Sequence, residues 1–268
     1  MKIILSRKGF DSANGGCPSP ILPDGTLLSL PIPASSGIGY DSLRWGEWTY
    51  SQLLAQLRPG KEIPFCHLDP DIREGVRSRS VPGWKPAFGQ VGAPQGLLAN
   101  AGVAPGDLFL FFGWFRQTEE KDGRLSYVGK RREDPSRGRD KHVVFGYLQI
   151  GEILTDPEGI AAYSWHPHGD EAHLRDGTNA LYLPRERLSF LPERKGYAVL
   201  DYREDRVLTL EGQNRGTWKA LDFLMPEHVY GKRKNSAGGP GLYYGGIWQE
   251  LVVFESPGLL DWARSLLE

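Results

Sequence analysis

Within Phe65-Cys66-His67-Leu68-Asp69-Pro70-Asp71, one imidazole and two carboxylates fall inside five residues. An extended chain ahead of Pro70, which the clash of the proline ring with the preceding residue favours, turns His67 and Asp69 to the same side. Such a set suits two kinds of chemistry. Its nitrogen and oxygen donors fit a divalent cation such as iron, manganese, magnesium or zinc. A His–Asp couple can equally move a proton near neutral pH. The plain alternative is a turn in which one Asp caps the following backbone; that accounts for one carboxylate and leaves the cluster unexplained.

A second polar tract, Trp165-His166-Pro167-His168-Gly169-Asp170-Glu171 with His173 just beyond, holds half of the six histidines. His166 and His168, alternating around Pro167, can face one cavity, and neutral imidazole is a common metal ligand. Joined to His67, Asp69 and Asp71 they would complete a metal shell, or supply acid and base. The spacing matches no HExxH pattern, and a solvated loop is the bland reading.

A third tract follows the opening Ile3-Ile4-Leu5 run: Ser6-Arg7-Lys8-Gly9-Phe10-Asp11-Ser12. A short strand ending in a Gly-punctuated, mixed-charge loop is a rigid support for a site. Lys8 and Asp11 would position or protonate a substrate there, and Arg7 and Ser12 would bind it. In Phe111-Phe112-Gly113-Trp114-Phe115-Arg116, strand alternation puts Trp114 and Arg116 on one side, where an indole and a guanidinium can stack on a base. Strand-end aromatics are more often plain core. The basic stretches Lys130-Arg131-Arg132 and Gly231-Lys232-Arg233-Lys234-Asn235 could touch phosphate, although solvated loops are their commoner fate.

These residues need supports. Tyr50, Leu53, Leu54 and Leu57 recur at helical spacing and predict a helix over 49–57, stopped by Arg58-Pro59-Gly60. A second helical region spans 88–102. The apolar run Leu108-Phe109-Leu110-Phe111-Phe112 predicts a buried strand, and 142–153 another, with a bulge or bend at Gly146. A hairpin with its turn at Lys121-Asp122-Gly123 joins them. Strands are also expected at 178–183 and 248–255, a hairpin over 197–202 and 206–210, and a helix at 259–267. Helices and strands mix without regular alternation, so the fold class is α+β, with a bent mixed or antiparallel sheet or partial barrel, peripheral helices and long ordered loops.

Composition excludes several classes. The chain has 268 residues with net charge −1, so it is no general electrostatic magnet for nucleic acid, and any such contact uses a local patch. The two cysteines, Cys17 and Cys66, form no CxxC pair and suit a reducing cytoplasm. No apolar run approaches the ~18 residues of a membrane span. The GxGxxG, Walker A, GxSxG and kinase fingerprints are missing, so nicotinamide, flavin and ATP motifs give no lead. One elaborated domain over 1–268 is the default.

The unit Gly106-Asp107-Leu108-Phe109-Leu110, followed by a hairpin and Gly146-Tyr147-Leu148-Gln149-Ile150-Gly151-Glu152-Ile153, resembles the heart of a PUA-like barrel over about 94–155. Lys8–Ser12, Pro18-Ser19-Pro20-Ile21, His67–Asp71, Gly106–Phe115 and His166-Pro167-His168 together resemble the third of the nucleotide modification associated domain families, from the first strand to Trp248-Gln249-Glu250. That resemblance implies a bacterial or phage setting and a role in modifying nucleotides or nucleic-acid bases. It supplies no reaction and no choice between DNA and RNA. A metal-assisted enzyme, a non-catalytic reader of modified bases, and a metal-dependent hydrolase of a nucleotide-like molecule all satisfy it. The residues add the expectation that the three polar loops meet in one cleft.

Overall fold

A computed structural model of the chain describes residues 1–129, 136–230, 241–244 and 249–268. Its main sheet runs Glu250–Val253, Ile3–Arg7, Leu108–Lys121, Lys141–Leu154, Ala180–Pro184 and Phe88–Gln90. Ser19–Ile21 and Arg124–Tyr127 pair with Leu108–Lys121, and Tyr197–Val199 with Lys141–Leu154. With five helices among the described residues around it, this sheet curls into a half-barrel, and the fold is α+β. The curl carries the barrel-like part of the expected architecture.

The first strand lies between a parallel and an antiparallel neighbour: Ile3–Arg7 register with Leu108–Phe112, and Ile3–Ser6 with Val253–Glu250. It is thus an interior strand, and both of its faces are buried. Ile3, Leu5, Leu108, Leu110 and Phe112 pack into one core with Ala263, Leu266 and Leu267 of the C-terminal helix. Ile4, Phe109, Phe111 and Phe115 pack into another with Phe88, Leu98 and Tyr182. Alternation carries these faces onward. Ser6 and Lys8 leave on the Ile4 side, whereas Arg7, Trp114 and Arg116 leave on the Leu5 and Phe112 side. Two places where chemistry could occur follow from this division.

The helix Tyr50–Leu57 buries the four residues that predicted it, and a reciprocal Thr49–Gln52 capping box closes its start. Leu259–Leu267 is helical over the expected residues. The register of the two long strands shifts between Val144 and Gly146, the bulge expected there. Asp122 and Gly123, with φ of 53° and 70°, make the tight turn of the Leu108–Tyr127 hairpin. Three segments differ from their sequence reading. Residues 88–102 begin as the strand Phe88–Gln90 because it finds the edge of Ala180–Pro184, and only Gly92–Asn100 is helical. Tyr197–Val199 pairs with the long strand and Val207 bridges Val143, so 197–210 folds onto the sheet instead of forming its own hairpin. The final strand is Glu250–Val253; Trp248 and the basic stretches at 130–132 and 231–235 lie outside the described residues. Among the described residues, no helix is long and apolar enough to cross a membrane.

Candidate functional site

On the Ile4 side of the sheet, three short segments deliver histidines to one place. His67 ends the strand Phe65–His67, anchored by pairing with Ile32–Ala34. His166 and His168 bracket Pro167, which opens a single 3-10 turn; the His166 Nδ1 caps that turn by accepting the His168 backbone N–H at 3.2 Å. His173 lies in the one-turn helix Glu171–Leu174, capped by Asp170. Nitrogen atoms of His67, His168 and His173 all lie within 4.8 Å of one another. Their rings are 4.6–5.5 Å apart, centre to centre.

The outer hydrogen bonds fix how these rings can act. His168 Nδ1 is 2.7 Å from Asn179 Oδ1, and His173 Nδ1 is 2.8 Å from Asp170 Oδ1. Both partners are oxygen acceptors, so Nδ1 carries a proton in each ring, and the neutral form keeps its lone pair on Nε2. Asn179 also donates to the His168 carbonyl at 3.0 Å, which locks the ring from two sides. Gly89 makes the approach feasible, because a Cβ at that position would sit 2.1 Å from the His168 ring. Burial pushes His67 down to about 4 and His168 to about 3, so both rings are neutral at pH 7. Asp69 opposes burial in each case and the neighbouring imidazoles reinforce it.

Behind this trio lies a carboxylate–imidazole pair. The Asp69 side chain is 5 % exposed; its Oδ1 accepts the Gly89 N–H at 2.8 Å and faces His166 Nε2 at 3.4 Å. Burial alone would raise the Asp69 carboxyl, but the His166 contact and, with it, the positive charge of Lys8 outweigh it and hold the group well below the usual carboxylate range. Lys8 stands over the Phe88 ring at 4.2 Å and pairs with buried Glu250 at 3.2 Å. Glu250 Oε1 also accepts from Ser6 at 3.0 Å and Gln90 at 2.6 Å. Among the described residues, His166 Nε2, Glu250 Oε2 and Asp71 Oδ1 are buried without a hydrogen-bond partner.

The residues expected to share a cleft therefore divide. His67, Asp69, His166, His168 and Lys8 come together, with His173 added from the same histidine-rich tract. Asp71 lies alongside, but its Oδ2 is engaged by Arg77 at 2.5 Å and by the Trp84 indole at 3.1 Å, and its backbone bridges Ala87. Burial outweighs the Arg77 charge and raises its carboxyl. Asp11 is elsewhere: it caps its own turn through Ala13 N–H and Asn14 N–H at 2.8 and 2.6 Å and pairs with Arg7 at 3.4 Å. The one-cleft arrangement fails at this loop because alternation along the first strand sends Lys8 and Arg7 to opposite faces.

Arg7, Ser12, Trp114 and Arg116 gather on that other face around Arg215. The Arg215 guanidinium covers the Trp114 ring at 3.9 Å and donates to Ser12 Oγ. Arg116 binds Asp140 through Nε at 2.7 Å. Asn179, Glu250, Gln90 and Arg215 carried no signal in the sequence, since each acts through a partner far away along the chain.

With this geometry in view, the chain matches the family described as nucleotide modification associated domain 3 over residues 2–246. It belongs to that family. No curated protein and no solved structure matches the chain.

Proposed function

We propose that this protein is an enzyme that modifies a nucleotide or nucleic-acid base, and that His67, His168 and His173 hold a divalent metal beside an Asp69–His166 couple. The observation that carries this reading is the pair of Nδ1 contacts to Asn179 and Asp170, which leave two Nε2 atoms to act as ligands next to a third imidazole. Metal-binding histidines are oriented by outer oxygen acceptors of this kind. Three nitrogens sharing one metal at ~2.1 Å in tetrahedral geometry stand ~3.4 Å apart, so inward shifts of at most ~0.8 Å per ring bring the trio into range. Three nitrogen ligands favour zinc or iron over magnesium, and a bound metal would supply a Lewis acid or an activated water. Asp69, charged and buried beside His166, would keep that ring oriented and accept or return a proton at Nε2. Lys8 would hold the anionic form of a base or of a leaving group in a low-dielectric setting.

Metal analysis of anaerobically purified protein, with His168→Ala and Asp69→Asn beside it, tests the reading. One equivalent of transition metal per chain is expected in the wild type, and its loss in His168→Ala. Asp69→Asn should retain metal and lose turnover of a nucleotide or oligonucleotide substrate, read as a mass change. A wild-type chain that binds no transition metal at micromolar concentration overturns the metal-assisted enzyme and leaves a reader of modified bases.

A further inference from the structure

We propose that the arginine-lined pocket on the opposite face of the sheet is a phosphate site, which takes the phosphate of a nucleotide or of a nucleic-acid backbone. The pocket holds about 660 Å³ and is lined by Arg7, Arg116, Arg139 and Arg215, with Asp140 as its one carboxylate among the described residues. Even with Asp11 counted against Arg7, four guanidinium groups face two carboxylates. A guanidinium has five donors in a planar fork that matches two phosphate oxygens at once. Among the described residues, each of these arginines spends only part of its fork: Arg7 on Asp11, Arg116 on Asp140, Arg139 on the Gly212 carbonyl, and Arg215 on Ser12.

The site is held in shape. The Arg215 guanidinium sits over the Trp114 ring, 3.9 Å from its centre, which restrains where its fork can go. The floor is His142, which accepts the Trp218 indole N–H at 3.0 Å within a box of Phe112, Trp218 and Tyr244. Burial first, then the positive charges of Arg215 and Arg7, keep His142 neutral, as expected of a floor beneath excess positive charge. Tyr243, 49 % exposed, stands at the rim and offers a ring face on which a base can stack beside the bound phosphate. The carrier of the phosphate rests on the function proposed above, whereas the phosphate chemistry rests on the arginines alone.

The test compares binding, without reference to turnover or metal. The full chain is titrated with inorganic phosphate, a nucleoside, its 5′-monophosphate and a single-stranded oligonucleotide, between about 50 and 200 mM salt. A phosphorylated ligand should bind about tenfold or more tightly than the nucleoside, and Arg215→Gln should erase that gain. Asp140→Asn, which removes a competing carboxylate, should tighten binding by a few-fold; arginines that serve only as structural ion pairs would not respond so. A monophosphate that saturates the site and displaces the oligonucleotide identifies a free nucleotide. An oligonucleotide that binds with a steep salt dependence, lowered by about one in slope per arginine removed, identifies a strand. Should Arg215→Gln fail to fold, Arg139→Gln, whose described contact is a single carbonyl, makes the same comparison. Equal affinity for nucleoside and phosphorylated ligands, or wild-type phosphate binding in folded Arg215→Gln and Arg139→Gln, overturns the proposal.

Discussion

Lys8 and Arg7 are chain neighbours, yet they enter opposite environments. Lys8 is 7 % exposed, sealed against Phe88 and paired with a Glu250 side chain that is fully buried. Arg7 borders a roomy pocket and shares it with three more guanidinium groups. The first arrangement places a few charges in a dry interior where each acts strongly over short distances, as fixed chemistry on a small group requires. The second keeps a surplus of one sign near water, as capture of a large anion requires. One period-two alternation in one interior strand produces both. Neighbouring positions in a loop after such a strand are therefore a poor guide to a shared site.

The largest effect that separates the two faces should come from Lys8. Replacing it by Met leaves Glu250 buried and without its cation, which costs ~3–5 kcal/mol in similar settings. Glu250→Gln in the same chain should restore most of that loss, because the pair is then replaced by neutral groups. Urea melts of the two single variants and the double variant measure it. A loss below ~1 kcal/mol would make Lys8 behave like a surface ion pair and erase the contrast with Arg7.

A smaller effect concerns acid. His142 is buried and pushed down to about 3, against about 6.5 in an unfolded chain. The unfolded state therefore takes up a proton between those values and the folded state does not. The stability that the neutral ring contributes is fully present above about pH 6.5 and is lost as pH falls toward 3, at about 1.4 kcal/mol per pH unit. His67 and His168, also held neutral, add to the same slope from the other face. His142→Gln preserves an acceptor for Trp218 and should remove one proton's share, about 3 kcal/mol between pH 6.5 and 4. Denaturant melts across that range check it, and an unchanged slope would mean that His142 is not buried as described.

Much of this architecture was legible because it follows short-range rules. The Leu108–Phe112 run, the Tyr50–Leu57 spacing, the Gly146 bulge and the C-terminal helix each record a local periodicity or a backbone demand. The His67–Asp69 alternation was legible for the same reason. What the sequence could not show is pairing across distance. Glu250 meets Lys8 and Gln90 only because its strand closes on the first one, and Asn179 meets His168 only because its strand begins beside the 3-10 turn. Asp71 carried the right chemistry for a ligand, but Arg77 and Trp84, six and thirteen residues further on, claim its Oδ2. The barrel-like pattern at 94–155 was legible as pairing of two long strands, whereas the helix-to-strand exchange at 88–90 depended on an edge supplied by Ala180–Pro184.

Trp114 gives the smallest and most discriminating effect. The sequence casts its indole as a stacking surface for a base, but in the fold Arg215 already occupies the ring face at 3.9 Å. Trp114→Phe keeps an aromatic ring and weakens its attraction for the guanidinium, which is worth ~0.5–1 kcal/mol at a partly exposed site. The variant should lose about that much stability. Through a looser Arg215 it should also lose two- to fivefold in affinity for a 5′-monophosphate, roughly the same free energy read as binding. The affinity for the unphosphorylated nucleoside should be unchanged, because the ring acts on phosphate through Arg215 and touches no base. A direct stacking role predicts the opposite pattern: nucleoside and nucleotide would weaken together, by up to ~1–3 kcal/mol. Parallel titrations of wild type and Trp114→Phe with the two ligands separate these outcomes, and loss of nucleoside binding would return the base to the Trp114 face.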